Sequence, residues 1–351
     1  MKKNEAIIIG WINKGKTADC GETMKNQLMI QRLEKLGIKC RPIDFKNWRK
    51  HPWVFLELAW NMLIHKDNTV IMSSSAINIY PMLKFLKLIR WKQNLVHWVI
   101  GGNLDSCIEK GVYKPEVLDY PNWTLVESEL LQKRLQAYGI HNVLQVPNFK
   151  PIFYYPDIRP RFEKVDKKIR FVFLSRIIPE KGCGIIINSA RLLNDNGYSD
   201  KFIVDFYGKI AETYKTEFLN SLSNIGNVSY KGFLDLRTPK GYDLLASYDM
   251  MLFPTYWVGE GFAGIFMDAF ISGLPLIASD WGHNRYILKE HEVALFVSAQ
   301  DKISLYNAML DCINGKINLV DMAISSQHEA RKYDIDNVIT NKLLREINII
   351  E

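Results

Sequence analysis

The sequence predicts an α/β protein of two domains, each a parallel sheet covered by helices. Three observations carry this. The chain has 351 residues, a length that suits two domains with a core apiece. Short apolar runs alternate with segments of helical period along the whole chain. A proline-broken stretch at Pro151, Pro156 and Pro160 divides the alternation, which places a boundary at residues 150–168.

The elements follow in order. Residues 5–10 form a short apolar strand. Residues 22–36 carry the helical period Met24, Leu28, Ile30, Leu33 and Leu36, with Gly37 as a stop. Residues 69–72, 95–100 and 124–126 read as buried strands, 129–138 as a helix ended by Gly139, and 143–146 as a strand closed by Pro147. After the break, 169–174 is a strand and 184–194 a helix. Strands at 202–207, 228–230, 250–253 and 276–278 continue the pattern. A last helix is expected over 323–349. The expected domains are residues 1–155 and 166–330, with residues 331–351 crossing back to the first.

Composition excludes several classes. With 48% hydrophobic, 24% charged and 12% aromatic residues the chain is neither disordered nor collagen-like. Cys20, Cys40, Cys107, Cys183 and Cys312 lie far apart, with no C-x-x-C, and read as reduced thiols of a cytoplasmic protein. No apolar run reaches the roughly 18 residues a membrane span needs, and the apolar stretch after Met1 is too short for a secretory signal. The net charge of +7 is uneven: residues 1–100 hold 17 lysines and arginines against 7 acids, a net of +10, while residues 166–351 hold 20 against 23. Bases in residues 1–100 are interleaved with large apolar side chains, as in Phe45-Lys46-Asn47-Trp48-Arg49-Lys50-His51-Pro52-Trp53 and around Phe85, Leu86, Leu88 and Ile89. That mixture suits peripheral contact with an anionic membrane; ordinary amphipathic helices with buried aromatics are the other reading. No nucleic-acid reader motif accompanies the charge.

Three motifs carry chemistry. Gly10 to Thr17 fits G-x-x-x-x-G-K-[ST], the phosphate-cradling loop of ATPases. The helical period, however, begins only near Glu22, too late to present helix N-terminal amides to a phosphate. A loop over an anionic ligand and a plain surface loop remain alongside the ATPase reading. Second, Arg176 and Lys181 follow a buried strand and precede a helix, where open α/β sheets bind ligands, and make a diphosphate site. Third, Phe253 to Phe270 holds Gly259, Glu260, Gly261 and Gly264 after a strand and Asp268 inside the next helix. Its glycines let a backbone approach a ligand closely, and two acids so placed can accept hydroxyls of two rings.

At these residues the chain resembles the retaining glycosyltransferases of family four, the group 1 glycosyltransferases. The stretch Glu260 to Ala269 is similar to the family's E-G-F-G-x-x-x-x-E-A, and Arg176, Lys181 and Gly182 to its R-x-x-x-x-K-G. Val146-Pro147-Asn148 and Leu125-Val126-Glu127-Ser128 resemble motifs that end the N-terminal domain. The resemblance implies the GT-B fold, two Rossmann-like domains facing a central cleft. It implies that Arg176 and Lys181 hold the donor diphosphate, that Glu260 binds sugar hydroxyls, that Asp268 binds the ribose, and that Phe262, Ala263, Gly264 and Ile265 line sugar and phosphate. Gly15, Gly21 and Glu22 fall in the place of the acceptor-facing loop; Gly101, Gly102 and Asn103 end a strand beside it. Asp268 departs from the family's Glu, and Gly21 stands where many members have a glycine pair. His97 reads either as a core histidine or as an active-site group.

The function expected is transfer, with retention, of a sugar from a UDP- or GDP-linked donor to a lipid-linked saccharide in cell-surface polysaccharide or glycolipid assembly, by a cytoplasmic enzyme at the inner face of the membrane. No metal and no cofactor is expected, and no nucleic-acid partner. Loss of Arg176 or Lys181 is expected to abolish most turnover with the fold intact. A P-loop NTPase and a noncatalytic membrane- or saccharide-binding protein are the rival readings.

Overall fold

A computed structural model describes residues 4–163 and 168–351. The start expected for the second domain, Asp166, lies outside the described residues. The chain divides into two compact units. The first ends at Pro151 and takes in Lys332–Glu351; the second is Ile152–Arg331.

The first unit is a strand–helix alternation: β1 (Glu5–Gly10), α1 (Gly21–Lys35), β2 (Lys39–Asp44), α2 (Val54–Ile64), β3 (Thr69–Ser74), α3 (Ala76–Leu88), β4 (Leu95–Val99), α4 (Leu104–Glu109), α5 (Pro115–Leu118), β5 (Trp123–Val126), α6 (Glu129–Ala137) and β6 (Val143–Gln145). The strands are parallel in the order β2-β1-β3-β4-β5-β6. Successive side chains of a strand point to opposite faces, so each strand feeds two cores. Ile7, Ile9, Met72, Leu95 and Val99 pack on α2 and α3; Ala6, Ile8, Ile71, Val96 and Trp98 pack on α1. That double burial explains why these strands read as continuous apolar runs. The sequence reading missed β2 because Pro42 interrupts it. β2 is an edge strand paired only with β1, the place where a sheet tolerates proline.

The second unit repeats the scheme with β7 (Ile169–Leu174), α7 (Cys183–Asp195), β8 (Phe202–Tyr207), α8 (Lys215–Ser221), β9 (Val228–Gly232), α9 (Pro239–Ala246), β10 (Met250–Phe253), α10 (Ile265–Ile271), β11 (Leu276–Ser279), α11 (Asn284–Ile287), β12 (Ala294–Val297), α12 (Lys302–Ile313) and α13 (Leu319–Glu329). Its parallel order is β12-β11-β10-β7-β8-β9. The order reverses between β7 and β10, so the loops after those two strands open onto the crevice where such sheets hold ligands. The corresponding reversal in the first unit lies between β1 and β3.

The single last helix expected over 323–349 is instead three pieces. After α13 a 3₁₀ turn leads to α14 (Ile335–Val338) and α15 (Asn341–Glu346). Asp334 caps the Asp336 amide at 3.1 Å, and Thr340 caps that of Leu343 at 3.4 Å. The Lys150 amide donates to the Tyr333 carbonyl and the Lys150 carbonyl accepts from the Ile335 amide, both at 3.0 Å, which ties this segment to the first unit, where Leu343, Leu344 and Ile347 are buried. Each cap closes one piece and opens the next. Among the described residues no helix is long and apolar enough to cross a membrane.

Candidate active site

Both loops at the β7/β10 reversal carry the residues singled out above. After β7 the chain runs through Arg176 into a 3₁₀ turn that ends at Lys181, and Gly182 starts α7. Gly182 is left-handed, with φ +82°, and a Cβ there would stand 2.2 Å from the Pro254 carbonyl oxygen. Only glycine lets the two loops pass so closely. Across this contact the Tyr256 amide donates to the Glu180 carbonyl at 2.8 Å.

Lys181 and Glu260 are both buried, and their side chains form an ion pair. Thr255 Oγ1 donates to the same Glu260 Oε2 at 2.9 Å, and the Lys181 ammonium lies 5.5 Å from the centroid of the Phe253 ring. Arg176 is exposed. Its guanidinium sits over the Trp257 ring at 5.7 Å, with no hydrogen-bond or ion-pair partner among the described residues. Trp257 is itself held, because its carbonyl accepts the Trp281 indole N–H at 2.8 Å. One cation is thus tied to a carboxylate and the other is free to take an anion.

Phe262 and Ala263 are buried, and Phe262 packs at a tilt against Phe266, whose ring meets Phe253 edge to face. Gly264 and Ile265 begin α10 with more exposure. Gly264 has φ −57° and open space where a Cβ would be, so glycine here leaves room before the backbone rather than relieving strain. Asp268 sits buried in the first turn of α10, and Tyr242 of α9 donates its hydroxyl to Asp268 Oδ1 at 2.8 Å. Burial and this carboxylate push the Tyr242 phenol far up, so it stays a donor.

The second unit can now be set beside known proteins. Residues 155–329 match the family model described as "Glycosyl transferases group 1". The chain belongs to the group 1 glycosyltransferases. No curated protein sequence matches it closely. Among solved structures, Alr3699/HepE of Anabaena in complex with UDP superposes with a TM-score of 0.70 at 13% identity, covering 97% of this chain and 98% of that one. Sucrose-phosphate synthase of Thermosynechococcus elongatus gives 0.73 at 14% identity, over 94% of each chain. The lipopolysaccharide outer core galactosyltransferase WaaB gives 0.69 at 15%, over 99% of this chain and 100% of that one. At such identities the likeness is one of fold, the GT-B fold of two Rossmann-like domains.

In the first unit of this glycosyltransferase the P-loop match does not build a phosphate cradle. Lys16 and Thr17 are separated from α1 by Ala18, Asp19 and Cys20. Asp44 already accepts the Ile12 and Lys14 amides, at 3.1 and 2.9 Å. The Lys16 and Thr17 carbonyls accept from Gln27 at 3.0 Å and Asn13 at 2.7 Å. The Lys16 amide donates to the Asn13 carbonyl at 3.0 Å, so three of the loop's amides are taken and the loop is pinned as a turn.

Gly15 lies in that turn at φ +75°, and Gly21 and Glu22 open α1. Glu22 reaches the β1/β3 reversal, where Ser74, the last residue of β3, donates to it at 2.5 Å. Burial raises its carboxyl above the ordinary range, opposed by Ser74 and the Trp11 amide. Gly101, Gly102 and Asn103 follow β4, with Asn103 at the start of α4. His97, mid-strand in β4, is wholly buried and neither ring nitrogen has a partner among the described residues. Burial drives it down to about 4, so it is a neutral core residue.

Sequence reasoning missed Tyr242, Thr255 and Trp257. Thr255 and Trp257 were in plain view two and four residues beyond β10. Tyr242 lies 26 positions before Asp268, and nothing in the sequence joins the two.

Proposed function

We propose that this glycosyltransferase moves a sugar from a UDP-linked donor to a saccharide carried on a lipid, with retention at the anomeric carbon and without a metal ion. The observation that carries the donor side is the grouping of Arg176, Lys181 and Glu260 at the β7/β10 reversal. Arg176 takes the diphosphate, and Lys181 shares its charge between the phosphate and Glu260. Two fixed cations neutralise the leaving group, work that a metal ion does in other sites. Glu260 accepts sugar hydroxyls, Asp268 accepts the ribose, and Tyr242 holds Asp268 in place. The leaving phosphate accepts the proton of the attacking hydroxyl. The solved complex of Alr3699/HepE with UDP, alike in fold, makes uracil the first base to try.

Glu22, with Gly101, Gly102 and Asn103, gives the first unit hydroxyl-binding groups at the carboxyl ends of its strands. Support for a lipid carrier comes from α2 and α3. Trp53 is 74%, Trp60 66% and Leu88 79% exposed, where the amphipathic-helix reading buries its aromatics. Lys50, Lys84, Lys87 and Arg90 lie among them, the mixture that suits a cytoplasmic enzyme resting on an anionic bilayer.

The test is transfer from radiolabelled UDP-glucose, UDP-galactose and UDP-N-acetylglucosamine, in EDTA, to a bacterial lipid extract and to a water-soluble saccharide mixture. Label entering the organic phase, in an α-linkage by NMR, is the expected result. Label only in the aqueous phase overturns the lipid carrier, a β-linkage overturns retention, and UDP released by no donor favours a noncatalytic binder.

A further inference from the structure

Between α2, α3 and the loop after β1 lies a cavity of about 660 Å³, inside the range of sites that hold small ligands. Its walls are almost wholly apolar: Leu58 and Met62 from α2, Met82 and Phe85 from α3. Pro81 also lines it, and proline gives α3 no N–H at that turn. Polar groups break the apolar lining, among them Arg49, Trp11 and Asn78, whose amide donates to the Ser74 and Ser75 hydroxyls. Arg49 places its guanidinium over the Trp48 ring at 5.5 Å and has no carboxylate partner among the described residues. Trp11, the residue that follows β1, keeps a buried indole N–H with no acceptor among the described residues. A buried donor left unpaired costs stability unless an acceptor reaches it, which a headgroup oxygen can do and a hydrocarbon chain cannot.

We propose that this cavity holds the hydrocarbon chain of the acceptor itself, with a phosphate next to that chain on Arg49. This rests on the reading of a lipid-linked acceptor. The cavity is lined both by exposed apolar residues of α2 and α3, such as Leu63 and Phe85, and by Trp11, one residue past the end of β1. A chain seated there delivers its headgroup to the β1/β3 reversal, where Glu22 waits. A bulk bilayer lipid needs only the exposed face; a substrate needs this internal path to the strand ends. The +10 charge of residues 1–100 matches an anionic headgroup.

The test uses alkyl phosphates of 6, 8 and 10 carbons below their micellar concentrations, read by calorimetry and tryptophan emission. Binding at one site per chain is expected, tightening about fourfold for each methylene buried. Ala59→Trp, a substitution at an exposed helix position on the cavity wall, is expected to weaken decyl phosphate at least tenfold with an unchanged melting temperature. Arg49→Ala is expected to weaken decyl phosphate while leaving decanol unaffected. Vesicles of phosphatidylglycerol give the other arm: Ala59→Trp should still sediment with them, whereas Trp53→Ser with Leu88→Ser should not.

No saturable binding, no dependence on chain length, or no effect of Ala59→Trp overturns the proposal. Equal loss of vesicle and alkyl phosphate binding in Ala59→Trp assigns the cavity to bulk lipid and overturns it as an acceptor subsite. Label found only in the aqueous phase of the transfer assay defeats the lipid-carrier reading separately, whatever the cavity binds.

Discussion

Arg176 and Lys181 answer to different physics although both are expected to face the same diphosphate. Arg176 is exposed and leans only on Trp257, so Arg176→Ala costs the fold nothing and should lower turnover about 10²–10³-fold. Lys181 is buried against Glu260. Truncating it strands a carboxylate in a closed site, at roughly 3–5 kcal/mol of stability. The two alanine variants are therefore expected to part: the arginine variant keeps its stability and the lysine variant loses it. A denaturant melt beside the turnover assay separates the two effects. Replacing the pair together, Lys181→Met with Glu260→Leu, should restore most of the stability and none of the activity. Restored turnover in that double variant would remove both residues from the reaction.

At the scale of elements, β4 shows how far the sequence could be read. Its apolar run and its place between β3 and β5 were legible, because burial on both faces makes a strand uniformly apolar. The environment of His97 was not, since it depends on Met72 and Thr124 on the flanking strands. With a folded value near 4 against 6.5 in the open chain, neutral His97 contributes fully above pH 6.5. That contribution is lost as the pH falls towards 4, by roughly 3 kcal/mol. His97→Leu should flatten that acid limb with little change at pH 7.5, as followed by melts from pH 4 to 8. An unchanged limb would mean that His97 is charged or hydrated in the fold. The loops after β7 and β10 were legible because they follow such buried strands. Their glycines and charges fall within a few residues of a strand end. Tyr242 and the break after α13 were hidden, because long-range packing sets the one and capping at Asp334 and Thr340 sets the other.

At the scale of the molecule, the chain separates its chemistry by charge. The first unit gathers the excess positive charge, the exposed aromatics of α2 and the cavity beside them; the second, residues 152–331, balances 20 lysines and arginines against 21 acids and keeps Arg176 as the free cation of the donor site. The central claim is that the β7/β10 reversal of the second unit binds a nucleoside diphosphate through protein cations alone. Titration of UDP into the protein in EDTA, followed by calorimetry, tests it most directly. The account expects one UDP per chain. A charge-assisted contact is worth about 1.5–3 kcal/mol, so Arg176→Ala should bind about 10- to 150-fold more weakly. UDP that binds only when Mg²⁺ is added, or binds Arg176→Ala as tightly as the wild type, would contradict it.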